Sequence, residues 1–208
     1  MKKRYITAVC CLLAAVLTSL CASLQAQQQR LAEKLIRLHV VANSDTREDQ
    51  RVKLLVRDAV LETADGLLRD AQNPEAALQT GLPELERAAN EKLASLGCEE
   101  TASVSLRREL FPMREYETFR LPAGVYRTLR VSIGQAGGHN WWCVLFPSLC
   151  FENATTATVP DESKAKLKNS LTREEYDSLE KPQHTKNDGK NTADVKIRCG
   201  IYDVFTNN

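Results

Sequence analysis

Cys143 follows His139 by four residues in "GQAGGHNWWCVLFP" (134–147), where a glycine-rich loop runs into the chain's two tryptophans. A thiol nucleophile needs a base within hydrogen-bond reach and a third group to orient that base. Cys143, His139 and Asn140 supply those residue types. Their context points elsewhere. Cysteine hydrolases place the thiol at a helix start, where the dipole favours the thiolate. Cys143 instead lies in an apolar run of strand character, which suits a buried or bridged sulfur. No catalytic residue is therefore expected, and an exported hydrolase using Cys143 stands as the alternative.

Other chemistries find less support. Gly134, Gly137 and Gly138 lack the G-x-G-x-x-G register and the Gly-Lys-Ser/Thr of phosphate loops, and a strand rather than a helix follows them. They read as hairpin glycines. The three histidines are scattered, with no pair at ligand spacing on one face, so neither a metal nor a cofactor is expected. Asp45 and Asp49 are explained by a loop and a helix start. On a strand, Trp141 and Trp142 must point to opposite faces. One fills the core beneath covering helices. The other meets solvent, a second layer or a partner, where exposed aromatics act as anchors.

The elements that carry these residues are legible from periodicity. "IRLHVVA" (36–42) is short, β-branched and bounded by "NSD", the signature of a strand. Thr46 and Asp49 have capping-box spacing. Val52, Leu55, Val56, Ala59, Val60, Ala64 and Leu67 then recur at helical steps. Asn73–Pro74 opens a short helix expected to break near Gly81, and Pro83 opens another that stops at Gly97. Beyond it Val104, Leu106 and Leu110 alternate with polar residues, with Arg108 in the inward register. Val125, Leu129, Val131 and Ile133 alternate in the same way after the turn "LPAG" (121–124), and "WWCVLF" completes the run. The expected fold is α+β: an antiparallel meander with two or three helices packed on one face.

At the N-terminus, Lys2, Lys3 and Arg4 precede an apolar stretch from Ile6 to Leu20, with Ala26 at an acceptable cleavage position. This pattern is a secretory signal peptide. The same stretch is near the length of a bilayer span, so an uncleaved membrane anchor is the second reading. The expected organisation is a leader or anchor over 1–26 and a globular domain over 27–151. A polar insert or linker over 152–194, around a short helix at 172–180, and a terminal strand or tail over 195–208 complete it. Removing the three leader bases from 28 leaves 25 bases against 27 acids. That balance offers no basic field for nucleic acid. Outside the cytosol, Cys98, Cys143, Cys150 and Cys199 allow three disulfide connectivities or none. Cys143–Cys150 is the preferred bridge, because Pro147 between them can turn the chain.

"IRLHVVANSDTREDQRVKLLVRDAVL" (36–61) and "LPAGVYRTLRVSIGQAGGHNWWCVLFPSLCF" (121–151) together resemble the stage II sporulation protein R family of endospore-forming bacteria. The resemblance implies a signal secreted by the forespore into the space between the septal membranes. There it would activate a membrane-embedded aspartic protease that removes the pro-sequence of the sigma-E precursor. That protease is the implied partner, with membrane association of the chain through its N-terminal hydrophobic segment as a further expectation. The resemblance brings no catalytic residues. It nominates Arg37, His39, Asn43, Ser44 and Asp45 from the first segment, and Asn140, Trp141 and Trp142 from the second, as partner-binding candidates, with Cys143 in the same matching segment as a disulfide candidate.

Overall fold

The computed structural model describes residues 2–115, 120–147, 150 and 161–180. The chain is α+β. Its central strand, β1 (Ile36–Val41), is buried along its whole length. β2 (Ala102–Phe111), β5 (Gly124–Ile133) and β6 (Asn140–Phe146) join it in a sheet of order β2-β5-β1-β6. A two-stranded ribbon, β3 (Arg114–Glu115) with β4 (Arg120–Leu121), projects between β2 and β5.

Two features depart from the expected meander. The sheet is mixed, since β1 runs parallel to β5 and antiparallel to β6. Strands β5 and β6 are therefore not neighbours, and the glycine loop between them crosses over the end of β1. Side chains alternate between faces whether the neighbouring strand is parallel or antiparallel, so the alternation along β5 and β6 does not say which strands pair.

Helices α2 (Arg47–Leu68) and α3 (Pro74–Ser95) cover one sheet face. Thr46 caps α2, its hydroxyl accepting from the Asp49 amide. Val52, Val56, Val60 and Ala64 meet Leu78, Leu85, Ala89 and Leu93 above Ile36, Leu38, Val40, Leu129 and Val131. The expected break near Gly81 does not occur, and α3 continues through Gly81 and Pro83. Gly81 is where the two helices touch: an added Cβ there would lie 2.4 Å from the Leu67 side chain. Close packing over one continuous apolar face outweighs the local helix penalties of glycine and proline. Gly97, at φ +73°, stops the helix, with the Cys98 amide bonded to the Leu93 carbonyl at 3.1 Å.

The opposite face is half covered. Helix α1 (Lys2–Lys34) runs through the stretch read as leader and polar connector, and its last turn buries Leu31 and Ala32. Within the expected insert, residues 161–180 form α4 (Asp161–Ser170) and α5 (Arg173–Leu179), the latter opened by a full capping box at Thr172 and Glu175. Leu167, Leu171 and Leu179 join Leu35, Phe111, Leu121, Tyr126 and Val144 in this second core. The polarity of 152–194 hid these few leucines. The terminal strand expected over 195–205 lies outside the described residues.

Candidate functional site

The two segments singled out from the sequence meet in space. β1 and β6 are neighbours, with Leu38 opposite Cys143, His39 opposite Trp142, Val40 opposite Trp141 and Val41 opposite Asn140. Strand alternation then sorts the side chains. Leu38, Trp141 and Cys143 face the helices α2 and α3. Arg37, His39, Asn140 and Trp142 face the other way, where the second core covers only half of the sheet.

The loops beyond these strands are locked together. The crossing loop reaches β1 through amide bonds from Gly137 to the Asn43 carbonyl (3.1 Å) and from Gly138 to the Ala42 carbonyl (3.0 Å). Asn43 Oδ1 accepts from the Gln135 amide at 3.0 Å. A Cβ on Gly138 would fall 2.2 Å from the Ser44 carbonyl oxygen, so only glycine permits this approach. These are crossing glycines, which corrects the hairpin reading. Asp45 accepts from both the amide and the ring of His139. That hydrogen bond holds the Asp45 carboxyl below the ordinary carboxylate range. The Ser44 hydroxyl, helped by Asn43 and Thr46, does the same for Asp49 against the opposing effect of burial. Lys53 closes the arrangement from α2, donating to the His139 carbonyl at 3.0 Å, and its burial pulls its pKa down.

Arg37 is fully buried beneath the half-covered face. Its Nε donates to the Cys143 carbonyl at 3.0 Å, and its guanidinium stacks over the Phe111 ring at 4.3 Å. His39, 6% exposed, is the centre of the open half. Its Nδ1 lies 2.6 Å from Glu109 and its Nε2 2.7 Å from Asn140 Oδ1. A carboxylate only accepts, so the proton on this side belongs to Nδ1. Arg107 (2.6 Å) and Arg130 (3.1 Å) also donate to Glu109, and Arg130 reaches on to Ser132. Trp142 leans on His39 with ring centroids 4.7 Å apart and meets Phe111 edge-on at 4.6 Å. The Arg114 guanidinium lies 5.4 Å from the Trp142 ring.

Glu109, Arg107 and Arg130 are absent from the sequence-derived candidates. Their partner His39 lies 70 and 91 residues away from Glu109 and Arg130, and on β2 and β5 they sit at positions that read as outward and polar. The available signal was His39 itself, a polar ring in a strand that is otherwise apolar apart from Arg37, which must find partners when buried.

Burial would raise the Glu109 pKa, but hydrogen bonds from His39 and Arg107 outweigh it and leave the group below its ordinary value. A carboxylate with a depressed folded pKa stabilises the fold above its unfolded pKa, and that stability is lost as pH falls through the folded value. Urea titrations should therefore show stability declining below about pH 4.3. Glu109→Gln should lower stability by about 2 kcal/mol at pH 7 and reduce the acid dependence. Parallel acid limbs for the two proteins would show that Glu109 is not held this way.

The hydrolase constellation is not assembled. Cys143 is buried, faces the helix-side core and is joined to Cys150 by a disulfide with Cα atoms 5.3 Å apart. His139 pairs with Asp45 on an exposed loop, while Asn140 belongs to His39. Trp141 packs on the helix side under Arg57, whose guanidinium is 4.2 Å from the ring. No group of His, Cys, Asp and Glu suited to a metal occurs among the described residues. What remains is a rigid, half-open face of hydrogen-bonding groups flanking one aromatic ring.

A family model described as Stage II sporulation protein R matches residues 32–156, which include β1 to β6 and both loops. Stage II sporulation protein R of Bacillus subtilis (strain 168) is 34% identical over 139 residues, 65% of this chain and 62% of the relative. The match thus spans less than two thirds of that relative's length. No solved structure gives a significant match.

Proposed function

This chain belongs to the stage II sporulation protein R family, and from that premise we propose that it is an exported messenger of sporulation. In this reading it leaves the forespore, enters the space between the septal membranes and switches on a membrane-embedded aspartic protease of the mother cell. The protease then trims the sigma-E precursor. The chain itself makes and breaks no bond. It acts by binding the active state of the protease more tightly than the inactive one, without which no contact could shift the equilibrium.

The family match carries this reading. Two structural features support it. Helix α1 is long and apolar enough to cross a membrane, as both a signal sequence and an anchor are. The segments of family resemblance converge on the half-open face around His39 and Trp142, a surface suited to recognition. Co-production of the chain with the protease and the sigma-E precursor in a non-sporulating host is the test. Precursor cleavage should depend on the chain and on its export. Cleavage of equal extent without the chain would refute the proposal.

The hydrolase alternative makes a separate, distinguishable prediction. The Cys143–Cys150 bridge closes a loop of sequence separation 7. Replacing both cysteines by serine should lower stability by about 2 kcal/mol through the freed unfolded chain. At temperatures where the double variant is folded, precursor processing should persist. Complete loss of processing by the folded variant would return Cys143 to the centre of the mechanism.

A further inference from the structure

Among the described residues, the large hydrophobic side chains that stay exposed fall into two groups. One lies along α1, from Tyr5 to Leu24. The other is Leu110, Met113 and Val125, which are 59%, 52% and 51% exposed. These three are far apart in sequence from α1 yet border it. Leu110 and Val125 are cross-strand partners at the end of β2 and β5, and they line a groove with Gln25 and Gln28. Met113 lines a groove with Leu24 and Gln28. The Gln28 side chain donates to the Ala123 carbonyl, tying α1 to this end of the sheet.

The length of the apolar stretch gives this cluster a meaning. Tyr5 to Leu24 is 20 residues of helix, about 30 Å at ~1.5 Å per residue, which is the hydrocarbon thickness of a bilayer. A bilayer around that stretch ends at Leu24, and the glutamines at 25, 27, 28 and 29 fall at the headgroup level. Leu110, Met113 and Val125 lie beside those same residues. No flexible segment intervenes, because α1 passes without a break into the second core at Leu31.

The geometry points to a membrane-seating surface: in the chain that carries α1, the sheet end bearing Leu110, Met113 and Val125 rests in the interfacial layer of the phospholipid bilayer that α1 enters. Apolar side chains at this depth gain from leaving water. Exposed Arg108, which lines the groove beside Leu110, is placed to meet lipid phosphates. Glu33 also lines that groove, and Arg127 donates to its backbone carbonyl at 3.3 Å. One geometric consequence is orientation. β2 leads from this end to the opposite end, ten residues away, so the locked loops around Asn43 and Gly138 stand about 30 Å above the lipid at ~3.3 Å per residue. Cleavage after Ala26 would release the anchor and leave the three side chains exposed to water.

The test uses the full chain in vesicles of phosphatidylcholine and phosphatidylglycerol. Spin labels are attached singly at positions 110, 113, 125 and, as the far-end reference, 99, with Cys10, Cys11, Cys21, Cys98 and Cys199 replaced by serine. Labels at 110, 113 and 125 should be collided with by oxygen more than by a water-soluble nickel chelate, and the label at 99 the reverse. An independent measurement on the unsubstituted chain is hydroxyl-radical oxidation of Met113. It should be several-fold slower in vesicles than for a methionine peptide added as an internal standard. Nickel accessibility at all four positions, or Met113 oxidised as fast as the free peptide, would overturn the proposal.

Discussion

Arg37→Ala should lower the stability of the chain by about 3 kcal/mol, a large share of the 5–15 kcal/mol typical of a domain. The substitution removes a fully buried side chain that fills the space between the β1 backbone, Phe111 and Tyr126. It leaves a cavity and deprives the buried Cys143 carbonyl of its donor. Both effects act in the same direction. Arg37→Lys should recover little, since an ammonium lacks the planar surface that stacks on Phe111 and the fork that reaches the carbonyl. Urea unfolding followed by tryptophan fluorescence should show the midpoint for Arg37→Ala falling by roughly 1–3 M. A change within the noise for both variants would mean that Arg37 does not hold this face together.

On the proposed function, Trp142→Ala should abolish most of the activation of the protease while Trp141→Phe leaves it intact. The two neighbouring tryptophans belong to different environments. Trp141 packs on the helix-side core under Arg57, and its indole N–H has no acceptor among the described residues. Phenylalanine keeps most of its packing and removes a donor that no described residue satisfies. Trp142 is partly exposed at the border between the second core and the open polar face, where it leans on His39. A partly exposed aromatic beside fixed hydrogen-bonding groups has the form of a binding anchor, and truncating one costs ~2 kcal/mol or more. At limiting chain concentration that corresponds to roughly a thirtyfold loss of precursor cleavage. The comparison must be made at matched amounts of folded protein. Equal activity of Trp142→Ala and the unsubstituted chain would remove this ring from the contact.

Local physics made several elements legible. The Thr46 cap and the helical recurrence from Val52 to Leu67 predict α2 because both the start signal and the apolar face lie within one segment. The alternation from Val125 to Ile133 and the opposite directions of Trp141 and Trp142 follow from strand geometry alone. What escaped depends on distant partners. The insertion of β1 between β5 and β6 turns the glycine loop from a hairpin into a crossing, yet changes no local pattern. The continuity of α3 through Gly81 and Pro83 goes with its packing on a different helix, where Gly81 meets Leu67 of α2. Glu109, Arg107 and Arg130 acquire significance only when β2 and β5 bring them to His39.

The second core escaped for a related reason. Its residues are few per segment and come from α1, β2, β4, β5, β6, α4 and α5. No single stretch carries enough of them to produce a periodic signal. Arg37 illustrates the limit well. A charged residue in a strand reads as solvent-facing, whereas two aromatic rings from β2 and β5 make its burial tolerable.

Site-specific photo-crosslinking during precursor processing tests the contact surface most directly. Ser105 lies on β2 on the same face as Glu109, and Ser132 accepts from Arg130 beside it; Arg87 lies on the exposed side of α3. With a photoreactive residue at each position in turn, adducts to the membrane-embedded protease should form from 105 and 132 and not from 87. Adducts from 87 alone, in chains that still support processing, would place the working surface on the helical side and contradict this account.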